Sequence, residues 1–102
     1  MQTIFDAATC DELLRRVDSI GAGSARQWGK MSAPQMLEHT ARVLEIPTGR
    51  RQCDQVLIRE LSAAGEKGCD GRVHPFFGRL TGAEWGISQF KHLDHHLRQF
   101  GV

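Results

Sequence analysis

The sequence predicts an all-α protein with a single domain, residues 1–102, built as a four-helix bundle. Apolar residues recur at helical spacing in four segments. Capping residues, glycine and proline mark the ends of these segments. No stretch alternates apolar and polar residues over a length that would form a convincing strand. Four amphipathic helices with short connections are typical of a bundle.

The first predicted helix begins after Asp6 and ends at the glycine-rich segment 21–24. Asp6 is a favourable N-cap residue, and Phe5 and Cys10 are placed to form a hydrophobic staple across it. Gly21 is expected to end the helix, because glycine readily adopts the left-handed cap conformation. The apolar residues of this helix are Leu13, Leu14, Val17 and Ile20.

The second predicted helix begins at Ser32 and stops at the segment Pro47–Gly49. Ser32 and Gln35 form a capping box, and Pro34 lies in the first turn, where its missing N–H costs nothing. The face that this helix would bury consists of Met36, Leu37, Thr40, Val43 and Leu44.

The third predicted helix opens at Cys53 or Asp54 and ends at Gly65 and Gly68. A polar loop follows, and Pro75 favours an extended conformation at His74. The face of the third helix consists of Val56, Leu57, Leu61 and Ala64.

The fourth predicted helix opens at a second capping box, formed by Thr81 and Glu84, and Gly101 fits a cap at its other end. Trp85 and, in the connector before the second helix, Trp28 are predicted to anchor the core. The apolar stripe of the fourth helix consists of Trp85, Phe90, Leu93, Leu97 and Phe100.

Charge and cysteine content exclude several classes of protein. Thirteen Lys and Arg residues against twelve Asp and Glu residues give a net charge of +1, whereas proteins that bind nucleic acid usually carry a marked basic excess. No apolar run approaches the roughly 18 residues that span a bilayer. Cys10, Cys53 and Cys69 form no C-x-x-C pair, so we expect free thiols in a reducing cytoplasm.

The histidines are the residues best suited to carry chemistry. His92 and His96 are four residues apart, about 40° from each other on one face of a helix. His39 borders the apolar face of the second helix, and facing helices of a bundle converge on its interior. The three imidazoles would hold one divalent ion, zinc or nickel, with an open position. Helical geometry turns His95 away from this edge, so it is predicted not to be a ligand.

A purely structural interpretation stays open for the same residues. A histidine near a helix C-terminus is stabilised by the helix dipole, and His39 could bond a backbone group at the edge of the core. His74 lines the mouth of the site or only fixes a turn. Glu38 and Asp94 either orient an imidazole or face solvent.

Five segments resemble a known family: Thr3–Asp6, Trp28–Met31, Gln35–His39, His74–Gly86 and Lys91–Val102. They are similar to the DinB-like superfamily, in a bacterial branch catalogued as domain of unknown function 1569. The resemblance covers about residues 1–46 and 53–102, and the C-terminal segment is the most specific.

The resemblance implies a four-helix bundle in which His39, His92 and His96 hold a divalent metal. It also implies a metal-dependent transferase or hydrolase with a small-molecule substrate, in some relatives assisted by a low-molecular-weight thiol. The resemblance assigns no catalytic residue and no particular substrate. The alternative is a non-catalytic helical protein that acts through self-association.

The chain departs from the family between its second and third helices. Family members carry an insertion there, and their two helices run parallel. The segment Pro47 to Gln52 reaches about 20 Å at full extension, and a second helix of about 14 residues would be about 21 Å long. We therefore expect a rearranged third helix, a damaged site, or a homodimer that exchanges helices between chains.

Overall fold

The computed structural model describes residues 1–21, 23–48 and 54–102. Four helices and one two-stranded hairpin make up its regular structure, so the all-α prediction is confirmed at the level of four packed helices. In chain order the elements are α1 (Ala7–Asp18), α2 (Ala33–Thr48), α3 (Asp54–Cys69), β1 (Val73–His74), β2 (Gly78–Arg79) and α4 (Gly82–Arg98).

The core lies between the four helices. α3 packs against α1, α2 and α4, and α4 also packs against α1 and α2. Trp85 is fully buried, which confirms its predicted role as a core anchor. Trp28 is 48% exposed, so its predicted place in the core is wrong. Other fully buried apolar side chains are Ile4, Leu13, Met36, Leu44, Leu57, Ile58, Leu61 and Leu97.

Both predicted capping boxes are present. The Gln35 backbone N–H donates to Ser32 Oγ over 3.3 Å, and the Ser32 N–H donates to Gln35 Oε1 over 2.9 Å. The same reciprocal pair joins Thr81 and Glu84 at the start of α4. These bonds satisfy backbone donors that the first helical turn leaves without partners.

The first helix begins after Asp6, as predicted, but it differs from its prediction in the capping bond and at its C-terminal end. Asp6 is the N-cap residue, but its side chain accepts no capping hydrogen bond. The helix ends at Asp18, and Ser19 caps it in a right-handed conformation. Gly21 has no positive φ, so the left-handed glycine end that we expected is not used. The Ser19 hydroxyl donates to the Arg16 carbonyl over 2.7 Å, and the Ser19 backbone N–H donates to the same carbonyl over 3.3 Å.

The third helix is divided at Gly65, where φ is 65° and ψ is −171°. A side chain is disfavoured at this positive φ, so glycine permits the break and a short helical turn continues to Cys69. The predicted end at Gly65 is therefore a break within the element. Ala64, predicted for the buried face, is exposed. The alternative opening residue Cys53 lies outside the described residues.

The segment predicted as a polar loop contains a small hairpin, whereas the sequence analysis predicted no strand. Val73 pairs with Arg79 and His74 with Gly78 in antiparallel register. Each strand has two residues, too few for an alternating pattern to be recognised in a sequence.

Contacts between α2 and α3 show that the two helices run in the same direction. The Thr40 hydroxyl, in the middle of α2, donates to the Asp54 carboxylate at the start of α3. Pro47, near the end of α2, lines one surface groove with Leu61 and Ala64 of α3. Because α3 begins beside the middle of α2, a return of about 12 Å from Thr48 is enough. The two helices of one chain thus lie side by side and parallel, as the resemblance implies, and the helix-exchanged homodimer stays a prediction.

No helix in the described ranges 1–21, 23–48 and 54–102 has both the length and the apolar character of a membrane span.

Candidate metal centre

Three histidines converge between α2 and α4. The ring centroids of His39 and His92 are 5.0 Å apart, those of His39 and His96 are 4.8 Å apart, and those of His92 and His96 are 4.7 Å apart. One potential ligand nitrogen from each ring lies within 4.8 Å of the other two. The structure thus brings together the three residues that the sequence predicts as ligands.

One pair of nitrogens in the cluster has a spacing suited to a metal. His39 Nε2 and His92 Nε2 are 3.1 Å apart. Zinc–nitrogen bonds of about 2.0–2.1 Å in a tetrahedral arrangement place two ligand nitrogens about 3.3 Å apart. Two ring nitrogens at such a distance either share one proton in a hydrogen bond or direct both lone pairs at a cation.

Burial keeps the two α4 histidines neutral. Desolvation, followed by the positive charges of His96, His39, His95 and His74, lowers the pKa of His92 to about 4. Desolvation also lowers the pKa of His96, although a hydrogen bond to Gln99 acts in the opposite direction. Neutral imidazole is the form that binds a metal, so the lone pairs of both rings are available at neutral pH.

The two remaining histidines, His95 and His74, make other contacts. His95 is exposed, as predicted for a residue that is not a ligand, and it contacts Trp28 edge-on at 5.2 Å. His74 fixes a turn: its Nδ1 accepts the backbone N–H groups of Phe76 and Phe77 over 3.0 and 3.2 Å. The His74 ring also packs against Trp85 at 5.4 Å.

The two carboxylates beside the histidines in sequence are engaged in ion pairs. Glu38 is exposed and pairs with Arg42 over 3.4 Å. Asp94 pairs with Arg16 over 2.9 Å and with Arg98 over 3.0 Å, which links α4 to α1. Glu38 thus takes the solvent-exposed alternative, whereas Asp94 is half-buried and pairs with two arginines.

Sequence reasoning missed Gln99, which contacts a candidate ligand directly. Its Oε1 lies 2.7 Å from His96 Nδ1, and both residues are more than nine-tenths buried. The spacing of three residues on α4 was a usable signal, since side chains at i and i+3 are neighbours on a helix.

The cysteines do not contribute to the cluster. Cys10 and Cys69 are free thiols, as predicted, and both are buried. Burial raises the pKa of the Cys69 thiol, which favours its unreactive protonated form.

Comparisons with known proteins add no relative to these observations. Searches against protein-family models, curated proteins and solved structures gave no match to this chain. Membership in the DinB-like superfamily therefore stays a prediction.

Proposed function

We propose that this protein is a divalent-metal-binding helical bundle of the DinB-like type, with His39, His92 and His96 as its metal ligands. The observation that carries the proposal is the convergence of the three imidazoles, with two Nε2 atoms 3.1 Å apart. Imidazole donors suit zinc and nickel, and three protein ligands leave a coordination position open.

The proposed activity is that of a metal-dependent transferase or hydrolase. A metal at this site supplies Lewis acidity that lowers the pKa of a bound water or thiol. The chain supplies neutral ligands, because burial lowers the pKa values of His92 and His96. A low-molecular-weight thiol is the second cofactor in this proposal, and a small molecule is the substrate.

The proposal places the protein in the cytoplasm. Cys10 and Cys69 are free thiols, and free thiols persist in a reducing compartment.

Metal analysis of protein purified without a histidine tag tests the metal site. We expect about one zinc or nickel ion per chain, and a metal-free preparation that takes up no ion would contradict the proposal. A subsequent screen with bacterial thiols and electrophilic substrates tests the enzymatic part. Binding of an ion that raises thermal stability, without turnover in that screen, would favour the non-catalytic alternative.

A further inference from the structure

The end of α4 carries a buried contact between a candidate metal ligand and an amide side chain. Gln99 follows His96 by one helical turn, and the two side chains are 8% and 9% exposed. The distance from Gln99 Oε1 to His96 Nδ1 is 2.7 Å, the length of a strong hydrogen bond.

The chemistry of the two groups fixes which ring nitrogen carries the proton. An amide carbonyl oxygen can only accept a hydrogen bond. The Nδ1 atom of His96 must therefore be the protonated nitrogen, which leaves the Nε2 lone pair free. A metal-bound histidine commonly donates its other ring N–H to such an acceptor, and this fixes both its tautomer and its orientation.

Gln99 is itself held in place by the connector that precedes α2. Its backbone carbonyl accepts the Gln27 N–H over 2.6 Å. A Cβ at Gly29 would lie 2.8 Å from Gln99 Nε2, and the φ of 89° at Gly29 also disfavours a side chain. The connector thus packs directly against the side-chain amide of Gln99.

His92, the other candidate ligand on α4, lacks a comparable hydrogen bond within the described residues. In the part of the chain that the structure describes, His92 Nδ1 is buried without a hydrogen-bond partner. The amide contact therefore distinguishes His96 from His92, although both belong to the same cluster.

We infer that Gln99 is a positioning residue, which presents His96 Nε2 to the metal and is held by the segment Gln27–Gly29. This inference rests on the proposed metal site. Loss of such an outer partner typically costs about 10–100-fold in metal affinity.

Three variants test the inference. Gln99→Met keeps the size of the side chain and removes the acceptor, whereas Gln99→Glu keeps an acceptor oxygen. Gln89→Met is the matched control, because Gln89 is a buried glutamine of α4 whose Oε1 has no hydrogen-bond partner within the described ranges. Zinc affinity is measured by competition with a chelator at pH 7.5, and the His96 tautomer is measured by ¹⁵N NMR of the metal-free wild-type protein.

We expect protonated Nδ1 at His96 in the wild type. We expect zinc affinity to fall about 10–100-fold in Gln99→Met, and to stay within about threefold of wild type in Gln99→Glu and Gln89→Met. Protonated Nε2 at His96 in the metal-free protein would overturn the inference. Equal losses in the Gln99→Met and Gln89→Met variants, or a Gln99→Glu variant as weak as Gln99→Met, would do the same.

The two readouts separate this inference from the proposed function. A wild-type protein that binds no zinc contradicts the proposed metal site and the inference with it, whereas a wild type that binds zinc but carries protonated Nε2 at His96 when metal-free overturns the inference alone. If Gln99→Met fails to fold, the wild-type tautomer and the Gln99→Glu affinity decide it.

Discussion

Two polar clusters, one half-buried and one buried, begin at adjacent residues of α2 and have opposite chemical characters. His39 contacts the rings of His92 and His96 on α4. The next residue, Thr40, faces α3 and donates to the Asp54 carboxylate. One turn of α2 therefore contributes to a cluster of bases on one side and to an acid–hydroxyl pair on the other.

Burial suppresses charge in both clusters. It lowers the pKa of His92 to about 4 and raises the pKa of the Asp54 carboxyl to about 6, although the hydrogen bond from Thr40 opposes the second shift. Both shifts favour the neutral form, since a low-dielectric interior disfavours isolated charge.

The clusters differ in whether they are complete. When Asp54 is protonated it can donate to Thr40, whose hydroxyl lies 3.2 Å from the Leu37 carbonyl and can donate to it. The acid–hydroxyl pair then needs no further group. In the histidine cluster, His39 Nε2 and His92 Nε2 lie 3.1 Å apart, where they either share one proton or direct both lone pairs at a cation. The three histidines thus lie close enough to bind a metal ion, whereas the Asp54 contact is complete within the chain when the carboxyl is protonated.

The largest expected effect is the loss of metal when two histidines of the cluster are replaced. A His92→Ala/His96→Ala double variant should bind zinc at least about a thousandfold more weakly, because two of three ligands are gone. Metal content after dialysis, measured by atomic emission, checks this. His95→Ala is the matched control on the same helix and should keep its metal. Equal loss in His95→Ala and His96→Ala would mean that the ligand face is wrong.

The next largest expected effect is on the free energy of unfolding, through the buried carboxyl of Asp54. The folded-state pKa of Asp54 lies above the ordinary value of 3.8, so the stabilising effect of its protonated form is lost as pH rises from about 4 to about 6. Asp54→Asn removes this cost and should raise the free energy of unfolding at pH 7.5 by up to about 3 kcal/mol. Urea unfolding of metal-free protein at pH 4 and pH 7.5 measures the difference.

The gain from Asp54→Asn should be absent at pH 4, where wild-type Asp54 is protonated. Asp11→Asn, at an exposed position of α1, is the control and should change stability by less than about 0.5 kcal/mol at either pH. A loss of stability at pH 7.5 in Asp54→Asn would show that the ionised carboxylate stabilises the fold.

The pH dependence of zinc binding tests the opposite shift. Three ordinary imidazoles would lose affinity as pH falls through about 6.5. The pKa of about 4 at His92 removes one of these protonations between pH 7 and pH 5. The measured loss should therefore be at least about thirtyfold smaller than three independent imidazoles predict, because the pKa of His96 is lowered as well. A chelator titration at both pH values checks it, and the full loss would contradict a buried His92.

The smallest expected effect is on self-association. The homodimer stays a prediction, and the exposed Phe76 and Phe77, at 90% and 69% exposure, are where we expect the contact. Light scattering at micromolar concentration should give twice the chain mass of 11.4 kDa. A Phe76→Ser/Phe77→Ser variant should give the single-chain mass, because it removes the apolar area that drives association. A wild-type mass near that of one chain, with metal bound, would refute the dimer.

Part of the candidate site follows from local rules alone. The capping boxes at Ser32 and Thr81 depend on residues three apart in sequence, and the same spacing separates His96 from Gln99, a contact that the sequence analysis missed. The shared face of His92 and His96 follows from helical periodicity. These features involve neighbours within about one turn, where backbone geometry determines which groups can meet.

The sequence by itself thus determined the helices, their starts and the pair of histidines on α4. Only the tertiary structure decided that His39 completes a cluster, that α3 starts beside Thr40, and that Trp28 stays at the surface. These outcomes depend on which faces distant segments cover, and side-chain periodicity does not specify the stagger between two helices. Packing of α2 against both α3 and α4 decided the first two, and it placed an acid pair and a base cluster on neighbouring residues.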